Sequence, residues 1–93
     1  MNITLQFEAQ LRQAAGQSSV PVSINQGATV MEAIQRLCET ASVMKDRLLN
    51  EQQQLKAGLL LFVNEVPVDP TNAGDQVLSD GDVILLLPPI SGG

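Results

Sequence analysis

Between Thr29 and Ala41 the apolar residues Val30, Ala33, Ile34, Leu37, Cys38 and Ala41 recur at steps of three and four, while the rest of the chain alternates or runs apolar in short stretches. A single amphipathic helix among strands is a severe constraint. The helix has one apolar stripe, so the sheet must lay one of its two faces on that stripe. Thr29 followed by Glu32 predicts where the helix starts. The hydroxyl can accept from an orphan backbone N–H of the first turn while the Glu32 side chain reaches back to the cap. The helical period fades between Thr40 and Leu49, and the helix is expected to end within that interval.

The flanking segments read as strands. Asn2 to Phe7 places Ile3, Leu5 and Phe7 on one face and Asn2, Thr4 and Gln6 on the other, and Val20, Val22 and Ile24 repeat the alternation. Ala9 to Ser18, polar and small with Gly16 inside it, reads as a hairpin loop longer than the tightest turns. Asn50 to Lys56, rich in glutamine and without apolar period, reads as a surface connection or an extra turn of helix. Leu59 to Val63 is a short apolar run, and Asn64-Glu65 separates it from Val66 to Val68 as a second hairpin. Pro67 lacks a backbone donor, which assigns that partner strand to a sheet edge. After the turn-rich stretch Asp69 to Asp75, Ser79-Asp80-Gly81-Asp82 predicts another turn and Val83 to Leu87 the last strand. The order predicts an α+β fold of β-grasp type, a mixed sheet packed on one main helix. Residues 1–87 form its globular domain and 88–93 an extended tail ending in Gly-Gly. In that architecture the first and last strands lie side by side in the middle of the sheet.

Composition narrows the chemistry. A chain of 93 residues, 44% of them hydrophobic, is enough for one domain with one core. Five Lys and Arg against a net charge of −5 cannot build the positive track that a phosphate backbone requires, so nucleic acid is excluded as a partner class and basic protein surfaces are favoured. Cys38 is the single cysteine. No intramolecular disulfide can form, and a reducing, cytoplasmic location is expected. No segment approaches the ~20 apolar residues needed to span a bilayer, and the N-terminus reads as strand rather than leader, so no membrane association is expected. There is no histidine, no second cysteine and no glycine-rich phosphate loop. No bound metal or cofactor is therefore expected.

Phe7-Glu8-Ala9-Gln10-Leu11-Arg12-Gln13-Ala14-Ala15-Gly16, Phe62-Val63-Asn64, and Ser79-Asp80-Gly81-Asp82 running into Leu87-Pro88-Pro89-Ile90-Ser91-Gly92-Gly93 resemble the small, sulfur-carrying subunit of molybdopterin synthase. This subunit belongs to the ubiquitin-like β-grasp sulfur carriers. The Pro-Pro-Ile-Ser-Gly-Gly end carries most of the resemblance. Leu86 and Leu87 replace the aromatic residues often found before Pro-Pro, and the Met44 to Ala57 region is longer than usual. The resemblance implies that an ATP-dependent ubiquitin-activating-like enzyme adenylates the Gly93 carboxylate, and that sulfur transfer leaves a thiocarboxylate on Gly93. The carrier would then dock on the large synthase subunit in a heterotetramer and donate its sulfur toward the dithiolene of molybdopterin, with Pro88, Pro89, Ile90, Ser91 and Gly92 in contact with the partner. Carriers for cysteine synthesis, thiamin or tRNA thiolation, ubiquitin-like protein modifiers and non-covalent β-grasp modules remain alternatives.

The residue types suit that role. Gly92 and Gly93 have no Cβ and can pass a narrow tunnel. Pro88-Pro89 fixes φ twice and reduces the entropy lost on threading. The six residues after Leu87 reach roughly 20 Å when extended. Val83 to Leu87 and Leu59 to Val63 are apolar on both faces, and one helix covers only one, so the other is expected to be a docking patch. Cys38 lies on the helix's apolar stripe and reads as core rather than as a persulfide relay. Asp80 and Asp82 read as turn formers, and Arg12, Lys45, Arg47 and Lys56 as solvated charge.

Overall fold

The computed structural model describes residues 1–89. Five strands, β1 (Asn2–Phe7), β2 (Ser19–Ser23), β3 (Leu60–Val63), β4 (Val66–Pro67) and β5 (Val83–Leu87), form one sheet in the order β2-β1-β5-β3-β4. β1 and β5 are the parallel pair, with Leu5 opposite Ile84 and Phe7 opposite Leu86, and the other neighbours are antiparallel. The first and last strands thus occupy the centre, as the β-grasp expectation required. Ile3, Leu5, Phe7, Val22, Leu61, Val63, Ile84 and Leu86 point to one face and are buried with the helices. Each fully buried side chain of this kind contributes about 1.5–3 kcal/mol.

The expected helix, α2 (Val30–Thr40), buries Val30, Ala33, Ile34, Leu37 and Cys38 in that core. Its cap works as the sequence implies, with one change of partner. The Glu32 N–H donates to Thr29 Oγ1 at 3.3 Å, but the Glu32 carboxylate accepts from the Thr29 hydroxyl at 3.4 Å rather than from the cap's own amide. The next orphan donors are met from the loop that follows β4: Val30 N–H donates to the Gln76 carbonyl at 2.9 Å and Met31 N–H to the Ala73 carbonyl at 3.0 Å. The helix stops at Ala41, whose φ of −129° and ψ of 81° leave the helical region. A new helix, α3 (Ser42–Leu48), then turns Met44 and Leu48 inward. The Asn50 to Lys56 segment folds on itself as a surface connection. Asn50 Oδ1 accepts from the Gln52 and Gln54 amides at 2.9 and 3.0 Å, and Lys56 N–H returns to the Leu48 carbonyl.

The connection from β1 to β2 corrects the sequence reading. Residues Ala9–Ala15 are a helix, α1, not a loop. It buries Leu11 against the core and half-buries Ala14 and Ala15. Gly16, in the left-handed region at φ 76°, ends it by donating its N–H to the Arg12 carbonyl. Seven residues with one large apolar side chain give too weak a period to stand out, and the helix depends on packing rather than propensity.

The turn before β5 ties the strands together. Asp82 Oδ1 accepts from Asn64 Nδ2 at 2.8 Å, and its Oδ2 accepts from Ser79 N–H at 2.8 Å. Asn64 Oδ1 accepts from Val83 N–H at 3.0 Å, and Asp80 Oδ1 accepts from the Asn2 amide at 2.7 Å. Asn64 and Glu65, at φ 49° and 71°, form the two-residue β3–β4 turn. By contrast the Arg36–Glu39 pair, 3.7 Å apart with side chains 52% and 67% exposed, contributes little. Asp82→Ala is expected to lower stability by about 1–2 kcal/mol in urea unfolding. Arg36→Ala should change it by less than about 0.5 kcal/mol.

Candidate functional site

β5 ends where its chemistry ends. Along β5 the odd residues exchange main-chain hydrogen bonds with β3, as in Asn64 N–H to the Val83 carbonyl at 2.9 Å, and the even residues with β1, as in Glu8 N–H to the Leu86 carbonyl at 3.2 Å. Continued past Leu87, that alternation turns the Pro88 nitrogen toward β1 and the Pro89 nitrogen toward β3. Neither nitrogen carries a proton. Two consecutive prolines therefore offer no donor to either side, and the ladder stops at Leu87. Pro89 lies against Gly58, where φ is +87° and an added Cβ would come within 3.0 Å of Pro89 Cβ. Gly58 is a site residue that sequence reasoning missed; its only signal was a glycine just before the Leu59 run. Ile90, Ser91, Gly92 and Gly93 lie outside the described residues.

Beside this root is the sheet's outer face. Leu60 opposes Leu87 and Phe62 opposes Leu85 on β3 and β5, while Thr4 and Gln6 oppose Val83 and Leu85 on β1. The even positions of β3 and the odd positions of β5 thus face outward, an orientation the two-faced apolar runs left open. None of Leu60, Phe62, Val83, Leu85 and Leu87 is buried, and Leu60 is 40% exposed. All three helices put their buried residues into the core on the other side. The result is a continuous aliphatic and aromatic strip running to the root of the tail, of the kind that marks a protein-binding surface.

The cations are segregated in the same sense. Arg12, Arg36, Lys45 and Arg47 lie on α1, α2 and α3, and Lys56 in the connection after α3. From Ala57 to Pro89 the chain carries Glu65, Asp69, Asp75, Asp80 and Asp82 and no cation. All five cations are exposed, four of them on the helices and Lys56 four residues before Leu60, as expected of solvated charge. Asp69 caps the 3-10 turn Pro70–Asn72, and the Thr71 amide and hydroxyl, both donating to its Oδ1, hold its carboxyl below the usual range. Asp80 and Asp82 are turn formers, each engaged with backbone. Among the described residues no three His, Cys, Asp or Glu side chains gather where a metal ion could sit, and no helix is long and apolar enough to cross a membrane. Cys38 is 6% exposed, and burial pushes its thiol up, with Lys45 offsetting part of the effect. It is a core residue, as its place on the stripe implied.

A model of the ThiS family matches residues 5–93. The chain is 28% identical over 93 residues to the small archaeal modifier protein 3 of Haloferax volcanii, covering 100% of both chains. Among solved structures it is similar to SAMP1 from Haloferax volcanii, with a TM-score of 0.89, 25% identity and 100% of each chain covered. It is also similar to a putative molybdopterin converting factor, subunit 1, from Pyrococcus furiosus, with a TM-score of 0.76 and 25% identity over 97% of this chain and 99% of that one. The architecture is that of the ubiquitin-like β-grasp fold.

A buried, protonated thiol should resist disulfide reagents in the folded chain and react only as the chain opens. Labelling of Cys38 is expected to be far slower in buffer than in urea, and to accelerate at alkaline pH above the ordinary thiol range.

Proposed function

The chain belongs to the ThiS family, and from that premise we propose that it is a sulfur carrier whose Gly93 carboxylate becomes a thiocarboxylate and donates its sulfur in molybdopterin synthesis. A carboxylate is a poor electrophile. An ATP-dependent ubiquitin-activating-like enzyme joins the Gly93 carboxylate to AMP, releasing pyrophosphate, and hydrosulfide from a sulfur donor then displaces AMP. The products are AMP and the Gly93 thiocarboxylate. The large subunit of molybdopterin synthase receives the tail and supplies the acids, bases and substrate pocket, while this chain contributes the sulfur and the docking surface. Pro88 and Pro89 hold the base of the tail clear of the sheet, and Ile90, Ser91 and Gly92 are the contacts inside the partner. The compartment is the reducing cytoplasm, consistent with a lone buried thiol.

The observation that carries this reading is the double proline at the end of the central strand, beside an uncovered apolar strip. A partner gripping the strip holds the end of β5 and with it the root of the tail. The C-terminal Pro-Pro-Ile-Ser-Gly-Gly and the likeness to the molybdopterin converting factor support the molybdopterin branch. A second reading is favoured by the full-length likeness to proteins named as modifiers: Gly93 joined to lysines of target proteins in isopeptide linkage. That activity would appear as higher-mass conjugates.

Incubation with a ubiquitin-activating-like enzyme, ATP and a sulfur donor is expected to exchange one oxygen for sulfur at Gly93, read by intact mass. The same chain with one residue appended after Gly93 should stay unshifted. No shift with an enzyme proven on another carrier overturns the proposal, as does sulfur transfer from the extended chain. Leu85→Asp and Phe62→Asp, both on the outer face, are expected to keep the circular dichroism of the parent and to weaken binding to the activating enzyme by tenfold or more, about 1.4 kcal/mol.

A further inference from the structure

The register of the two outermost strands places a proline at the same kind of position on each. On β1 the odd residues exchange hydrogen bonds with β2: Phe7 N–H donates to the Ser18 carbonyl at 2.9 Å and Ile24 N–H to the Met1 carbonyl at 3.0 Å, while Leu5 opposes Val20 and Ile3 opposes Val22. The main-chain groups of Ser19, Pro21 and Ser23 therefore point away from β1, toward the open edge. On the other side, Val68 N–H donates to the Leu61 carbonyl at 2.8 Å and Val63 opposes Val66 across the tight turn, so Pro67, opposite Phe62, turns its main-chain groups outward too. Each edge thus has a proline where an incoming strand would look for a donor.

We infer that Pro21 and Pro67 close both edges of the sheet to strand addition, so that a second copy of this chain or an extended peptide finds no continuous ladder and partners are confined to the outer face. Unguarded edges pair with other strands. Proteins blunt them with charge, proline, bulges or very short strands. Here neither β2 nor β4 carries a charged residue. β4 is two residues long and Val66 beside it is 61% exposed, while Val77 in the following loop is 59% exposed. Without proline that edge would be short but apolar. On β2 the longer edge would offer three outward donors in a row, and Pro21 removes the middle one, leaving Ser19 and Ser23 roughly 13 Å apart, about four residues of strand. Pro21 and Pro67 are both exposed, so neither is held in place by core packing.

The test replaces both prolines in the full chain with a strand-compatible residue that restores the donor, Pro21→Thr and Pro67→Thr. With circular dichroism unchanged, the double variant is expected to self-associate at about tenfold lower concentration than the parent, measured by sedimentation velocity over a concentration series. A folded double variant with the parent's association state at every concentration overturns the inference. The single variants give an independent reading. At a concentration where the single variant is monomeric by sedimentation, the new amide proton at position 21 or 67 is expected to exchange with solvent at nearly the unprotected rate, and protection in that monomer would mean that the donor points into the sheet and overturns the assignment. If the double variant fails to fold, the single variants carry both measurements.

Discussion

The parallel pairing of β1 with β5 is the contact on which the rest of this molecule depends. It joins a strand that begins at Asn2 to one that ends at Leu87, puts Leu5 and Ile84 opposite each other with no exposed surface, and supplies both with their second neighbour. β2 hangs on one side of the pair and the β3–β4 hairpin on the other. Asp80 and Asp82 reinforce the junction from below, one through the Asn2 amide and the other through Asn64 and Ser79. These carboxylates belong to the architecture rather than to chemistry. The central placement also fixes where Pro88 and Pro89 leave the sheet, because β5 is flanked on both sides as far as Leu87.

Much of this was legible in the residues. Period-two alternation located β1 and β2, the three- and four-residue steps located α2 and its buried stripe, and Thr29 with Glu32 located its start. Pro67 placed β4 at an edge. What escaped has physical reasons. α1 has one large apolar residue, Leu11, and a short run of small ones, so its period is hard to separate from a polar loop. The break at Ala41 leaves no mark in composition, because alanine favours helix, yet its φ of −129° and ψ of 81° leave the helical region before α3 begins. Strands apolar on both faces carry no parity, so the outward choice of Leu60, Phe62, Leu85 and Leu87 could be read only from the register with β1. The contact between Gly58 and Pro89 joins residues far apart in sequence, and neither announces the other. The tail residues Ile90 to Gly93 were named from resemblance and chemistry, and they lie beyond the described residues.

The two halves of the surface have different characters. The helical side holds the cations of α1, α2 and α3, and the second half of the chain is anionic with an apolar strip at its centre. Such a distribution orients an approaching basic partner toward the strip before contact, and salt should weaken that guidance more than it weakens the apolar contact itself. The prolines act along the same line. Pro21 and Pro67 deny partners the edges, and Pro88 and Pro89 end the ladder of β5 at Leu87. Four of the five prolines thus sit where a missing N–H matters.

The distance in sequence between β1 and β5 has a consequence for how the molecule comes into being. During synthesis β5 is the last of the five strands to leave the ribosome, so until then β1 has a bare inner edge and the core lacks Ile84 and Leu86. Pairing of such remote segments is slow because loop closure must be paid for before it is rewarded. The strand whose arrival completes the core is also the one that bears the tail. A half-folded chain therefore lacks Val83, Leu85 and Leu87 of the outer strip, so that apolar surface exists only once the core behind it has closed.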